Sequence, residues 1–422
     1  VVKLLVALCL LSGCSYVTNS FVTNDFSGDP FPIQIDSSTG AILIGYAEAG
    51  DSNRTAVLDI LSPFTLTDRG KDIAPSINYP DVMLLGARTP GGPLDLPRAK
   101  LVGPQVLTLH PCRNDVCTIG EPGAGRAFDA LVGMSAFKSD ALRLHLATDQ
   151  IFILPDIGGD EFQRSRACDS VLPFPFRGGG TTVIGGTEIG FTNWRIAIDT
   201  CLAPNPDPGL LQSARGADVL LVASSAIGVS LLGQSAYQRY HQIFPSTSPD
   251  LGTLLDDTVN LPSGPVTGKR VTIPSLALVA NSASNPRAPC RQVYAHQLLA
   301  KADCKMGTEP DCPCAPGVLF CPVPAILELE PTTGIDFLVV SDTNDTLQAL
   351  RTELRPDRPE VDGILGTAVF KDLELDIDYP HDRLLGRCTT ADSTLCRARP
   401  ELSDTSQRAA VNTCIGPNAG PF

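Results

Sequence analysis

The chain has 422 residues, a length that suits two or three domains. Apolar residues at 43% and charged ones at 18% describe a globular protein with a full core, and a net charge of −14 argues against nucleic acid or an anionic membrane surface as partner. With 37 glycines, 36 prolines and little helical periodicity, the composition favours many short strands joined by turns.

Residues 1–14 combine one lysine, an apolar run and small residues before a cysteine, which reads as a signal peptide too short to span a membrane as a helix. Leu11-Ser12-Gly13-Cys14 resembles a bacterial lipobox, so the resemblance implies that Cys14 becomes the lipidated N-terminus. The absence of an acidic residue at Ser15 or Tyr16 implies the outer rather than the inner membrane of a bacterial envelope. Residues 15–29 are then a polar tether. Setting aside Cys9 and Cys14 leaves twelve cysteines, and in an exported chain an even number reads as disulfides. Cys112 and Cys117 flank a short loop and are the one pair expected from spacing. Cys312-Pro313-Cys314 is not a C-x-x-C pair, and the five histidines are scattered, so neither a metal nor a cofactor is expected.

Pro30–Asp36 and Ala41–Tyr46 read as a hairpin over Ser37-Ser38-Thr39-Gly40. The run Thr55-Ala56-Val57-Leu58 then delivers a single carboxylate, Asp59, to a turn containing Ser62 and Pro63. A carboxylate at the end of a buried strand needs a partner or a catalytic reason. Further on, Asp129-Ala130-Leu131-Val132-Gly133 is followed by Phe137 and an alternating run at 142–146. The same cassette returns as Asp362-Gly363-Ile364-Leu365-Gly366, Phe370 and the run 373–379, which points to two similar lobes. Between the copies lie a Gly-rich hairpin at 178–190, apolar strands at 194–201 and 217–225, and a helix near 233–241 with Ser235 as the expected N-cap. Strands are expected at 323–330 and 335–341, a short helix at 343–354, and an irregular tail from 388.

Taken together, the Asp59 strand and the two cassettes resemble the pepsin-like aspartic peptidases. That resemblance implies a mostly β, bilobal fold with two pseudo-two-fold-related barrel or sandwich lobes. The N-terminal lobe is expected over 30–160, the C-terminal lobe over 161–387 with a Cys-rich insertion at 285–322, and a Cys-containing tail over 388–422. Each lobe of the family carries an Asp-Thr/Ser-Gly-Thr/Ser loop, and two carboxylates about 3 Å apart share one proton to activate water and polarise the scissile carbonyl. Here the first loop keeps Asp59 and Ser62 but has Ile60 and Leu61 in place of Thr and Gly. Gly133 and Gly366 are the supporting glycines. For the second loop, Asp199-Thr200-Cys201 is one candidate, yet the distance to the 233–241 helix favours Ala223, followed by Ser224. Tyr79 is the nearest candidate for a flap tyrosine.

The expected function is accordingly that of an exported, lipid-anchored, aspartic-peptidase-like protein without peptidase activity, its inter-lobe cleft binding extended polypeptide. An active endopeptidase using Asp59 and Asp199 is the alternative, and a structural envelope lipoprotein is a third.

Overall fold

The computed structural model describes residues 30–37, 39–48, 54–61, 66–67, 82–84, 117–119, 126–128, 130–133, 140–155, 176–184, 187–203, 216–261, 264–280, 289–290, 293, 326–329, 333–354, 361–379, 383–389 and 396–399. Cys14, Ser62, Tyr79, Cys112 and most of the Cys-rich insertion lie outside them.

The first strands are β1 (Pro30–Pro32), β2 (Gln34–Ile35), β3 (Ile42–Glu48), β4 (Arg54–Leu58), β5 (Leu66–Thr67), β6 (Val82–Leu84), β7 (Cys117–Ile119) and β8 (Arg126–Phe128). The first cassette follows as β9 (Ala130–Val132), β10 (Asp140–His145) and β11 (Gln150–Pro155). The second half opens with β12 (Phe176–Ile184), β13 (Thr187–Ala203), β14 (Ala217–Ala223), β15 (Ser230–Gly233) and helix α1 (Gln234–Ile243). It continues with β16 (Asp256–Leu261), β17 (Gly264–Ile273), β18 (Ser275–Val279), β19 (Ile326–Leu329), β20 (Ile335–Val340) and α2 (Asp345–Glu353). The second cassette is β21 (Gly363–Leu365), α3 (Thr367–Phe370), β22 (Leu373–Asp378) and β23 (Arg383–Cys388), and β24 (Cys396–Arg399) ends the described chain.

The strands form a mostly β protein of two related halves. In the first, β4 pairs parallel with β9 inside a six-stranded sheet. In the second, β14 pairs parallel with β21 inside an eleven-stranded sheet. A third sheet, ordered β1-β11-β10-β22-β23, is shared between the halves. The two strands at its middle are the alternating runs of the two cassettes, paired antiparallel with Leu142 opposite Ile377 and Leu144 opposite Leu375. Residues 131–133 and 364–366 therefore occupy equivalent strands, as expected.

Period-two alternation explains how this seam holds. Leu142, Leu144, Leu375 and Ile377 are buried in one apolar core that also contains Ile42, Leu58, Leu221 and Phe370, so it draws on both halves. Burial of each such side chain contributes about 1.5–3 kcal/mol. On the alternate positions Arg143 meets Asp376, Nε to Oδ1 at 2.6 Å and the second nitrogen to Oδ2 at 2.8 Å. A buried ion pair returns little beyond its own desolvation cost. The apolar residues thus supply the cohesion, and the pair fixes the register, because any slip would leave a buried charge stranded.

Two expectations are corrected. Ser235 lies inside the first turn of α1 and its N–H donates to Asp342 Oδ2 at 2.9 Å, while Gly233 is the N-cap. The tail from 388 is not irregular throughout: a Cys388–Cys396 disulfide delivers β24 to the free edge of β19. A second disulfide joins Cys201 on β13 to Cys290.

The β2–β3 turn closes the gap between halves. Gly40 has φ of +72°, and the Gly228 N–H donates to the Thr39 carbonyl. A Cβ on Gly228 would sit 2.7 Å from that carbonyl oxygen and 2.9 Å from Gly40 Cα, both backbone atoms with no rotamer to give way. Gly228→Ala should therefore cost about 1–3 kcal/mol, the usual range for overpacking. Urea unfolding of the variant checks this, and a midpoint equal to the wild type would contradict it.

Candidate functional site

The site is where the two halves bring their parallel strand pairs end to end. In the first half the Asp59 N–H donates to the Val132 carbonyl at 2.9 Å, and in the second the Ser224 N–H donates to the Leu365 carbonyl at 2.9 Å. The Leu61 N–H reaches Asp59 Oδ1 at 2.9 Å, and the Ala226 N–H reaches Ser224 Oγ at 3.2 Å. The loop residues matched in this way are 165 apart, Asp59 with Ser224 and Leu61 with Ala226, while their carbonyl acceptors Val132 and Leu365 are 233 apart, the spacing of the two cassettes. Ser224 is thus the counterpart of Asp59. Ala223, favoured from element spacing, is the last residue of β14 and corresponds to Leu58. The physical reason is the strand ladder: β14 runs through Ala223, paired with Leu365, before the loop begins.

Asp199 is not brought to this place. It sits within β13, paired with Leu220, four residues before Ser224 on β14, or roughly 13 Å at ~3.3 Å per residue. It is also paired with Val279 on the other side. The Asp59–Asp199 dyad is therefore corrected: strand pairing holds Asp199 away from the loop.

Across the join the two loops bond directly. Ser224 Oγ donates to Asp59 Oδ1 at 3.0 Å. Ser225 Oγ donates to the Leu58 carbonyl at 2.6 Å and accepts from the Ile60 N–H at 3.0 Å. Ile60, the counterpart of Ser225, has no hydroxyl with which to return the bridge, so the tie is one-sided. Asp59 is only 2% exposed and Ser224 1%. Gly366 follows β21, its N–H donates to Ser230 Oγ at 3.0 Å, and a Cβ there would lie 2.6 Å from the Gly228 carbonyl oxygen. Gly133 holds the matching place after β9.

Two residues missed by the sequence reading complete the site. Arg195 on β13 is 1% exposed and acts on the Asp59 carboxyl through its charge. Tyr379, just after β22, is buried, and its phenol is held well above its usual value, first by burial and then by the Asp59 charge. The signals were present but mute: a cation in an apolar strand, and a tyrosine closing the second cassette.

Burial pushes the Asp59 carboxyl up from its ordinary value of 3.8. The Leu61 N–H, the Ser224 hydroxyl, the Arg195 charge and the Ser225 backbone pull against it, in that order. Chemically, one carboxylate faces one hydroxyl. The arrangement can hold a proton or accept hydrogen bonds, but it does not place two carboxylates on one proton. Among the described residues no group of His, Cys, Asp and Glu is placed to hold a metal.

No protein-family model matches the chain, and no curated protein matches it. Among solved structures it is similar to the crystal structure of the aspartic proteinase from Irpex lacteus, with 10% identity and a TM-score of 0.37, over 86% of this chain and 98% of that one. It is likewise similar to Basic 7S globulin from soybean, with 14% identity and a TM-score of 0.37, over 86% and 94%. Likenesses at this level do not bear on activity.

A raised carboxyl makes folding favour the protonated form. Its cost is absent at pH below the unfolded value and grows as pH rises toward the folded one. Wild-type protein should therefore lose stability relative to Asp59→Asn as pH climbs above about 4. Parallel stability–pH curves for the two proteins would refute this.

Proposed function

We propose that this protein is a non-peptidolytic member of the aspartic-peptidase-like fold, exported and anchored by lipid, whose inter-lobe region binds extended polypeptide. The observation that carries the reading is the Ser224 hydroxyl on Asp59 Oδ1, at the place the second carboxylate would occupy. A hydroxyl in that place does not share a proton as a second carboxylic acid does, and so does not take over its part in polarising a scissile carbonyl. Loss of such an acid typically removes about 10²–10⁴-fold of rate. Ile60 and Leu61 deepen the loss, since one removes a hydroxyl from the bridge between loops and the other puts a buried apolar side chain where the family carries glycine.

Export is supported by the Cys201–Cys290 and Cys388–Cys396 disulfides, which persist in oxidising compartments. The lipid anchor at Cys14 and the outer-membrane address rest on the sequence of residues 11–16. The choice of an extended polypeptide as partner rests on the two-lobed frame alone.

Purified protein incubated with a peptide library at acidic pH should give no pepstatin-sensitive cleavage. Cleavage that disappears in Asp59→Ala would overturn the reading and restore the endopeptidase. The anchor has its own test. Wild-type protein should enter the detergent phase on partitioning, and Cys14→Ser should leave it in the aqueous phase; a variant that still enters detergent would remove the lipid from the proposal.

A further inference from the structure

We propose that the Cys388–Cys396 disulfide is a redox latch for β24: oxidised, it holds that strand on the edge of β19, and reduced, it releases the strand and opens the edge. The latch stands apart from the Asp59 centre and does not depend on its chemistry. Cys388 is the last residue of β23, the outermost strand of the shared sheet. Cys396 is the first residue of β24, the outermost strand of the eleven-stranded sheet. The bond therefore ties the edges of two different sheets.

β24 has little else to hold it. Its four residues pair with β19 alone among the described strands, Cys396 opposite Leu329 and Arg399 opposite Ile326. β19 is enclosed along its length: Ile326 and Leu327 are fully buried, and Glu328 and Leu329 nearly so. Its two faces belong to different clusters, since Leu327 and Leu329 pack in the large core and Ile326 packs with Cys201, Ala277 and Val279. Left open, the edge of such a strand is a template for any strand that meets it. β24 covers that edge, and the disulfide keeps β24 in place.

The two described disulfides differ in access and in the span they close, which govern how readily each is exchanged and how strongly each constrains the unfolded chain. Cys201 and Cys290 are both buried, the Cys290 N–H donates to Asp218 Oδ1 at 2.9 Å, and the bond closes a span of 89 residues. That bond is a staple. Cys388 is only partly buried, its partner Cys396 is enclosed, and the span is 8 residues. A thiolate can reach Cys388, and so short a span keeps the two thiols near each other for re-closure. A dithiol reductant supplies both electrons. Its thiolate attacks the Cys388 sulfur, the S–S bond breaks, and Cys396 leaves as a thiolate that takes up a proton. The second reductant thiol then displaces Cys388, whose thiolate is protonated in turn, and the reductant departs as a disulfide.

For the test, the purified full chain is treated with dithiothreitol without denaturant, and free thiols are trapped with iodoacetamide for mass spectrometry. Cys388 and Cys396 should be labelled at least about tenfold faster than Cys201 and Cys290, a difference of access. Hydrogen exchange on the partly reduced protein should show protection lost at 396–399 and at the β19 amides that face β24, with β13 and β14 still protected. Joint reduction of both pairs would overturn the latch, and so would a β24 that keeps its protection with its disulfide open. A Cys388→Ser/Cys396→Ser double variant should fold and show the same local loss with no reductant present. If that variant does not fold, the disulfide is a staple of the whole protein and the latch is refuted.

Discussion

A carboxylate placed at the junction of two packed halves is the constraint from which the rest of the centre follows. Asp59 is delivered there by β4, whose parallel partner β9 fixes the end of the strand through the Asp59 N–H to Val132 carbonyl bond. Once buried, it must be ionised and paired or else protonated. Its own loop meets it with the Leu61 N–H, and the second half meets it with the Ser224 hydroxyl and the Ser225 backbone. Without the β10–β22 seam, the opposing loops would have no fixed register in which a 3.0 Å bond between Asp59 and Ser224 could form.

The same junction shows how two equivalent halves become unlike. Arg143 and Asp376 occupy equivalent positions 233 residues apart, yet they face one another as opposite charges. Asp59 and Ser224, and Ile60 and Ser225, are equivalent positions 165 apart that have also diverged. At an axis, a residue meets its own counterpart, so identical residues there bring like charges or like hydroxyls together. Divergence replaces repulsion at Arg143–Asp376 with a bidentate pair. At Asp59–Ser224 it replaces a proton-sharing pair with a hydroxyl that simply donates.

The repeated cassettes were legible in the sequence because apolar-apolar-Gly followed by strict alternation demands the same buried strand twice, and the halves that they implied are present. The hairpin over Gly40 was legible for a similar local reason, a turn that needs positive φ. The second loop was readable only to within a residue. Counting back from α1 places the loop near Ala223 or Ser224, but only the Ala223–Leu365 ladder pair decides where the strand ends. Asp199 misled because Asp-Thr after an apolar run satisfies the local pattern, whereas β13 is a seventeen-residue strand that runs straight through it. Arg195 and Tyr379 could not be read at all. A single buried cation and a single buried phenol bear on Asp59 only through charge, across 136 and more residues of sequence, and no local periodicity encodes that. The tail strand β24 was hidden for another reason, since its pairing depends on the disulfide that turns the chain back.

What the centre gives up in chemistry it recovers in economy of burial. A dyad of carboxylates holds a negative charge in a low-dielectric setting, and that charge is tolerable only with water and several donors close by. Exchanging one carboxylate for Ser224 removes the like-charge repulsion and leaves a hydroxyl that donates to Asp59. The crowding that follows is then permissible. Ile60 is fully buried and Leu61 nearly so, which a hydrated catalytic centre would not allow. The apolar replacements in the first loop and the polar replacements in the second are therefore one change rather than several. Each makes sense only where no water has to reach Asp59.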